Sequence, residues 1–295
     1  MSKKIAFATC RNLPHPAEDD KLLADYLRHA GFEVLYAVWN DAKIVWQDFD
    51  MVLIRSTWDY HKHIEAWREW LQLLEEKRVN VLNPVKTIRW NMHKSYLKEM
   101  EANGVQIVPT FFAKRGSKFS LKEILEKNGW WKAVVKPAVS LDAFHTWLTD
   151  LPTAEKQQNN FEALVMERDV MVQPFMPEIN TRGEYSFVFF GGKFSHVVLK
   201  SNPTGDFRIQ GNYGGRNQLI EVSPALISQA THILQSIDLP HYYARIDAIE
   251  REEQLYLMEL ELIEPSLFLD LEEEAVRRLG ELVKVQINTT PSPSH

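Results

Sequence analysis

The chain has 295 residues, 45% hydrophobic and 25% charged, which is long enough for two or three globular domains. Its net charge of −6 argues against a nucleic-acid-binding protein that depends on a broad positive surface. The single cysteine, Cys10, excludes an internal disulfide framework and suits a reducing, cytoplasmic compartment. No apolar run is long enough to span a bilayer, so we expect neither a membrane nor a nucleic acid as a partner.

The N-terminal part of the chain alternates between buried strand patterns and amphipathic helix patterns. Such alternation predicts a parallel sheet, in which ligands bind at the carboxyl ends of the strands. The predicted strands are 4–9, 32–38, 51–54 and 79–82, and the predicted helices are 17–30 and 64–76. These elements predict an α/β domain that ends at about residue 88.

A polar and aromatic sequence, Arg-Ser-Thr-Trp-Asp-Tyr at 55–60, comes just past the end of one of these strands. This position makes Arg55, Thr57 and Asp59 candidates for holding a small polar substrate. The alternative, with equal weight, is a structural turn around a packed Trp58.

The middle part of the chain predicts a helix over 92–103, which carries Lys94 near its start, and a strand over 132–137, which carries Lys136 near its end. A buried ammonium is costly without a partner, so a phosphate would suit Lys136. The alternative is a lysine at the wet end of the strand. The remaining predictions here are a strand over 105–112, helices over 121–127 and 161–168, a strand over 170–172, and a mobile loop over 137–152.

The C-terminal part predicts a β-hairpin with strands 185–190 and 193–199, closed by Lys200. A polar loop over 206–215 follows and carries Arg208. Helices are predicted over 224–236 and 271–287, on either side of a second two-strand element.

This second element runs from Tyr243 to Phe268, with a short polar loop at 251–254. Side chains on a strand alternate between its two faces. An antiparallel pairing therefore gathers Asp247, Glu259 and Glu261 on one side of a sheet. Clustered carboxylates are typical of a Mg²⁺ site that also uses substrate phosphates. A solvated polar face is the alternative interpretation.

Five short motifs in order resemble those of the ATP-grasp enzymes. They are Met-His-Lys at 92–94, Val-Val-Lys-Pro at 134–137, Val-Gln-Pro-Phe at 172–175, Arg-Ile-Asp at 245–247 and Met-Glu-Leu-Glu-Leu-Ile-Glu-Pro at 258–265. Their order and spacing resemble bacterial glutathione synthetase and its relatives over most of the chain. The stretch at 55–60 and the stretch Glu-Leu-Ile-Glu-Pro-Ser-Leu-Phe at 261–268 resemble a narrower branch. That branch includes the ligase that cyclises O-ureido-serine to cycloserine.

The resemblance implies a role for each candidate residue. ATP would be bound by Lys94, Lys136, Ser140, Gln173, Pro174, Phe175 and Glu184. Catalytic contacts to the γ-phosphate or the activated carboxylate would come from Lys200, Arg208 and Arg245. One or two Mg²⁺ ions would be bound by Asp247, Glu259 and Glu261.

The loop after Lys136 departs from the family pattern, in which glycine and serine close over the phosphates. Residues 138–147 contain no glycine, although Ser140 can still serve. Glycine allows backbone N–H groups to approach phosphate closely, and Asp142 would add a like charge there. The resemblance therefore supports the fold more strongly than it supports turnover.

We therefore predict an α/β protein with the ATP-grasp fold and an N-terminal parallel-sheet domain. Its domains are 1–88, which binds the substrate, a middle lobe at 89–175, and a C-terminal lobe at 176–295 with the metal site. The predicted activity is an ATP- and Mg²⁺-dependent carboxylate–amine or cyclising ligase for a small amino-acid-like substrate. A nucleotide-binding regulatory protein and an interaction scaffold are the alternatives. A homo-oligomer is compatible with the sequence.

Overall fold

The computed structural model describes residues 2–141, 143–202 and 214–289. The strands are β1 (Lys4–Thr9), β2 (Glu33–Val38), β3 (Met51–Ser56), β4 (Val81–Leu82), β5 (Phe111–Ala113), β6 (Lys132–Pro137), β7 (Trp147–Asp150), β8 (Val170–Pro174), β9 (Glu184–Phe190), β10 (Lys193–Ser201), β11 (Arg216–Ile220), β12 (Tyr243–Arg251) and β13 (Gln254–Glu261). The helices are α1 (Glu18–His29), α2 (Ile64–Glu76), α3 (Val85–Asn91), α4 (Tyr96–Ala102), α5 (Leu121–Asn128), α6 (Ala154–Glu167), α7 (Glu178–Thr181), α8 (Pro224–Gln235) and α9 (Glu273–Thr289). The strands form three sheets, and each lies within one of the three predicted domains.

The first sheet is parallel, with strand order β2-β1-β3-β4, as the alternating sequence predicts. Its central strands are buried on both faces, which explains their continuous apolar sequence. One boundary differs from the prediction. Strand β3 continues through Ser56, so Arg55 lies inside the sheet rather than in the loop beyond it.

The second sheet is antiparallel, with strand order β5-β8-β6-β7, and packs against α5 and α6. Two sequence predictions differ from the structure here. The predicted loop over 137–152 contains β7, which pairs with β6. The helix predicted over 92–103 is the shorter α4, and Lys94 lies before it, in the connection from α3. Lys94 therefore lies outside the two helices, where its ammonium reaches the loop after β6 and Glu259 on β13.

The third sheet has strand order β11-β10-β9-β12-β13, and its paired strands are antiparallel. Glu252 and Glu253 connect β12 to β13 with positive φ angles of 53° and 63°, which is typical of a two-residue type I′ hairpin turn. The predicted hairpins are both confirmed. Strand β11 was not predicted, because its sequence shows no clear alternation.

The first and third sheets share one hydrophobic core, which contains residues of α1 and α9. Asn83, just after β4, donates from Nδ2 to the carbonyl oxygens of Tyr243 and Leu262 at 2.8 Å each. Tyr243 in turn places its hydroxyl within 3.0 Å of the Ile54 carbonyl oxygen. These buried polar contacts fix the first domain against the β12–β13 hairpin. No helix in the described part of the chain is long and apolar enough to cross a membrane.

Candidate active site

A cleft of about 790 Å³ lies between the second and third sheets and reaches the first domain. It gathers most of the residues that the sequence predicts to bind nucleotide and metal and to take part in catalysis. The predicted residues that line it are Lys136, Ser140, Gln173, Pro174, Phe175, Glu184, Lys200, Arg245, Asp247, Glu259 and Glu261. A cleft of this size is of the order that binds a cofactor-sized ligand.

The β12–β13 hairpin supplies the acidic wall of the cleft. Asp247 pairs with Glu259, and Arg245 pairs with Glu261, so these four side chains share one face. A β-bulge follows between Asp247 and Ala248. The bulge brings Met258 to the cleft, although simple alternation places it on the opposite face with Leu260.

Two lysines meet the carboxylate of Glu259. Lys136 Nζ donates to Glu259 Oε1 at 3.0 Å, and Lys94 Nζ lies 3.8 Å from Oε2. Lys94 also donates to the carbonyl oxygen of Ser140 at 2.8 Å. Lys94 and Lys136 are both about nine-tenths buried, so their charges act in a poorly solvated region. The predicted phosphate-binding lysines therefore come together from two separate elements.

A second charge network surrounds Asp247. Its carboxylate receives hydrogen bonds from Arg245 Nη2 at 2.8 Å and from Ser186 Oγ at 2.5 Å, and Lys200 Nζ lies 3.1 Å away. Arg245 Nη2 also donates to Glu261 Oε1 at 2.5 Å. Lys200 forms a further salt bridge with Glu184.

The pKa values of these carboxyl groups diverge. Burial alone would raise the pKa of Asp247 and of Glu259, but the adjacent cations outweigh burial and hold both pKa values below their usual range. Burial dominates at Glu184, where Lys200 offsets it only in part, and raises the pKa to about 7. Burial also raises the pKa of Glu261. The site thus keeps Asp247 and Glu259 ionised, as ligands of a cation must be.

The donor set suits a hard divalent cation. Asp247, Glu259 and Glu261 supply carboxylate oxygens, which are the ligands that Mg²⁺ prefers. Among the described residues, no group of three His, Cys, Asp or Glu side chains is arranged to hold a metal ion. The three carboxylates do not converge because each is held by a cation. Arg245 forms salt bridges with both Asp247 and Glu261, and Lys136 forms one with Glu259. The carboxylates fit magnesium chemically, and their side chains would have to turn from these cations to bind it.

An apolar wall forms the other end of the cleft, at the end of β8. Gln173 is buried and donates from Nε2 to Thr110 Oγ1 at 2.8 Å. Phe175 donates its backbone N–H to the Lys132 carbonyl oxygen at 2.8 Å, and Lys132 Nζ lies 4.3 Å from the centre of the Phe175 ring. The sequence did not predict the aliphatic residues of this wall, which are Val108, Val134, Met176, Ile179 and Met258.

The three residues predicted to hold substrate are placed differently. Arg55 is buried, with Nε donating to Asp20 at 2.7 Å and Nη2 donating to the Pro265 carbonyl oxygen at 2.7 Å. Thr57 is also buried, and Asp59 accepts a hydrogen bond from Trp39 Nε1 at 2.7 Å. None of the three is among the described residues that line the cleft. Because β3 carries Arg55 into the sheet, these side chains support the domain instead.

The neighbours of these residues reach the cleft in their place. Trp58 and His61 line it from the first domain, and Glu264, Ser266 and Phe268 line it just after β13. The alternative interpretation predicts a packed Trp58, but the side chain is 39% exposed, and its Nε1 donates to the Glu264 carbonyl oxygen at 3.2 Å. Sequence alternation could not identify these residues, because they come from turns.

The loop after β6 also borders the cleft. Ser140 is 8% exposed and donates from Oγ to the Pro137 carbonyl oxygen at 3.2 Å. Phe144 packs edge-on against His61 of the first domain, with 5.1 Å between the ring centres. The other two predicted residues, Asp142 and Arg208, lie outside the described residues.

Comparison with known proteins finds a family and a relative that this chain resembles. Residues 5–83 match the family described as D-cycloserine synthetase DcsG, N-terminal domain. The chain is 26% identical over 276 residues to the cycloserine biosynthesis protein DcsG of Streptomyces lavendulae, with 88% of this chain and 90% of that protein covered.

Solved structures show the same architecture. The crystal structure of D-cycloserine synthetase DcsG superposes with a TM-score of 0.85 at 22% identity, covering 96% of this chain and 99% of that one. D-alanine–D-alanine ligase from Bacillus anthracis superposes with a TM-score of 0.68 at 13% identity, covering 98% and 97%. The chain therefore shares the ATP-grasp fold with these ligases, and its N-terminal residues match the DcsG-type domain.

Proposed function

We propose that the protein is an ATP- and Mg²⁺-dependent ligase that activates the carboxylate of a small amino-acid-like substrate as an acyl phosphate. The observation that carries this proposal is the meeting of Lys136 and Lys200 with Asp247 and Glu259 in one cleft beside an apolar wall. Lys94 supports it from beside the cleft, with its Nζ 3.8 Å from Glu259 Oε2. Cations that hold phosphate oxygens and carboxylates that hold magnesium are the recurring parts of phosphoryl transfer.

The reaction would proceed in two balanced steps. A carboxylate oxygen of the substrate attacks the γ-phosphorus of ATP, and the bond from that phosphorus to the bridging oxygen of ADP breaks. A nitrogen nucleophile then attacks the acyl carbon, the carbon–oxygen bond to phosphate breaks, and the nitrogen loses a proton. The products are ADP, inorganic phosphate and an amide or a ring.

The residues would divide this work by their positions. The apolar wall at Gln173–Phe175 would hold the adenine ring, and Glu184 would meet the ribose. Lys94 and Lys136 would neutralise phosphate oxygens, and buried cations are strong at this because little water screens them. Lys200 and Arg245, and Arg208 beyond the described residues, would contact the transferred phosphate or the activated carboxylate.

Magnesium would be held by Asp247, Glu259 and Glu261, and it would supply charge neutralisation at the phosphates. The low pKa of Asp247 and of Glu259 supports this role, because both groups are ionised at neutral pH. To bind the cation, these three carboxylates would leave their lysine and arginine partners by side-chain rotation, and the backbone of the hairpin would keep its conformation.

The relatives support a cyclising or amine-joining reaction. DcsG is named as a D-cycloserine synthetase, and the Bacillus anthracis protein is named as a D-alanine–D-alanine ligase. Both names describe products made from small amino acids. We therefore propose an amino-acid-like substrate, bound between the charge networks and the first domain.

A regulatory nucleotide-binding protein with little turnover is the second candidate. It is favoured by the loop over 138–147, which lacks the glycines that let backbone N–H groups approach phosphate. Both candidates predict ATP binding, and only the first predicts ADP release.

The test measures ADP release from ATP and Mg²⁺ with D- and L-alanine, D- and L-serine and both enantiomers of O-ureido-serine. We expect release with at least one compound, and at least a tenfold loss in Glu259→Gln. Glu252→Gln is the matched control, because Glu252 is an exposed glutamate in the turn of the same hairpin. ATP binding without ADP release for any compound would support the regulatory protein, and no ATP binding would contradict both.

A further inference from the structure

Glu264 lies three residues after the last predicted magnesium ligand, at the end of the cleft that faces the first domain. The residue is only 5% exposed, yet it lines the cleft. Its Oε1 atom is buried and has no hydrogen-bond partner among the described residues. An unpaired buried carboxyl oxygen is destabilising, so its presence at a ligand cleft indicates a functional role.

Glu264 also differs from the other acids of the cleft in its charge environment. Glu184, Asp247, Glu259 and Glu261 each form a salt bridge with a lysine or an arginine. Glu264 forms no such pair within 4.0 Å across the described ranges 2–141, 143–202 and 214–289. Burial and the nearby Glu261 carboxylate accordingly raise the pKa of Glu264 to about 8.

The nearby guanidinium of Arg55 does not pair with this carboxyl group. Its Nε donates to Asp20, and its Nη2 donates to the Pro265 carbonyl oxygen. Arg55 therefore holds the backbone next to Glu264 while its charge is matched by Asp20. Trp58 holds the same segment from the other side, with Nε1 donating to the Glu264 carbonyl oxygen. Two residues of the first domain thus position the backbone that carries this carboxyl group, and its Oε1 has no partner among the described residues.

We propose that Glu264 binds the ammonium group of the amino-acid-like substrate and so selects substrates that carry a free amine. This inference rests on the function proposed above. A primary ammonium supplies the missing positive charge and up to three N–H donors. The same substrate would extend its carboxylate toward Lys200 and Arg245, which line the same cleft.

The test compares each substrate with its analogue in which hydrogen replaces the amino group. The probes are O-ureido-D-serine, O-ureido-L-serine, D-alanine and their deaminated analogues. Binding is measured by calorimetry with a non-hydrolysable ATP analogue and Mg²⁺ present, so the measurement does not depend on turnover. The variants are Glu264→Gln, which keeps the shape of the side chain and removes its charge, and Glu252→Gln as the control.

We expect Glu264→Gln to weaken binding of at least one amino compound tenfold or more, and to change binding of its deaminated analogue less than twofold. The Kd for the ATP analogue should change less than twofold, which shows that the nucleotide site is intact. Equal weakening for both members of every pair, or no binding of any amino compound to the unmodified protein, would overturn the assignment. Tight amine binding without ADP release from ATP would instead contradict the ligase and leave the role of Glu264 standing.

Discussion

Lys136 on β6 donates a hydrogen bond from Nζ to Oε1 of Glu259 on β13 at 3.0 Å, and this salt bridge joins the second sheet to the third. The lysine side chain is 10% exposed and the glutamate side chain 27%. Two opposite charges this close in a poorly solvated cleft satisfy each other. A triphosphate with magnesium would offer each of them a new partner of opposite charge, so the pair joins the two lobes where nucleotide would enter.

Replacing Lys136 with Met should weaken ATP binding at least tenfold, which corresponds to about 1.4 kcal/mol. The reason is that the variant keeps the length of the side chain and removes the charge that would face the phosphates. Calorimetry with ATP and Mg²⁺ measures the effect. Lys127→Met is the control, because Lys127 lies exposed on α5 and pairs with Glu123 of the same helix. Equal Kd values for the two variants would exclude Lys136 from the nucleotide site.

Replacing Gly183 with Ala should destabilise the fold by about 1–3 kcal/mol and lower turnover. Gly183 has a φ of +91°, and a Cβ atom there would lie 2.5 Å from the carbonyl oxygen of Lys200. The clash would push apart the neighbouring Glu184 and Lys200, which pair across β9 and β10. Chemical denaturation gives the stability, and ADP release gives the turnover.

Gly192→Ala is the control that distinguishes the effect of the clash in Gly183→Ala from the effect of backbone strain. Gly192 also has a positive φ, of +77°, but a Cβ atom added there would have no described atom within 4 Å apart from its chain neighbours. Both variants carry the strain of a left-handed alanine, and only Gly183→Ala meets the Lys200 backbone. If Gly192→Ala were equally damaging to turnover, the contact with Lys200 would not be the cause.

The acidic wall of the site could be predicted from the sequence because its pattern is local. Alternation places Asp247, Glu259 and Glu261 on one face of a hairpin, and a short polar turn fixes which strands pair. The parallel first sheet could be predicted for a similar reason, since strand and helix periods alternate along the chain.

Other parts of the site depend on contacts between distant segments. The meeting of Lys94 with Glu259 joins residues 165 positions apart, and no local period reveals it. The sequence places Arg55 in a loop, but in the structure β3 continues through Ser56 and includes Arg55. Met258 reaches the cleft only because of a β-bulge, and a bulge shifts alternation without leaving a clear mark in the sequence.

Glu264→Gln should stabilise the protein at alkaline pH, in addition to its effect on amine binding. The pKa of Glu264 is about 8 in the folded protein against an ordinary value of 4.5, so the folded state binds more protons than the unfolded state between these values. Stability therefore falls as pH rises from about 4.5 to about 8, and the variant removes this part of the loss. We expect the variant to gain on the order of 2–4 kcal/mol at pH 8 and little at pH 5.

Urea denaturation of both proteins at pH 5, 6.5 and 8 measures this difference. Some pH dependence should persist in the variant, because burial also raises the pKa of Glu184 to about 7 and of Asp20 to about 6. If the free energies of unfolding of the two proteins differed by the same amount at all three pH values, the pKa of Glu264 would not be raised in the folded protein.

Gly280→Ala should destabilise the joint between the first domain and the C-terminal helix. Gly280 lies on α9 where a Cβ atom would overlap the ring of Tyr26 on α1, whose hydroxyl donates to Glu281 at 2.5 Å. Two effects oppose each other. Alanine favours a helix over glycine by about 1 kcal/mol, whereas overpacking costs about 1–3 kcal/mol. We expect the clash to outweigh the helix propensity, because the nearest atoms form one edge of the Tyr26 ring and cannot move without displacing the whole ring. The double variant Tyr26→Ala with Gly280→Ala tests this directly. With the ring absent, the same alanine should be neutral or stabilising in thermal denaturation, and a loss of equal size in both backgrounds would show that the ring contact is not responsible.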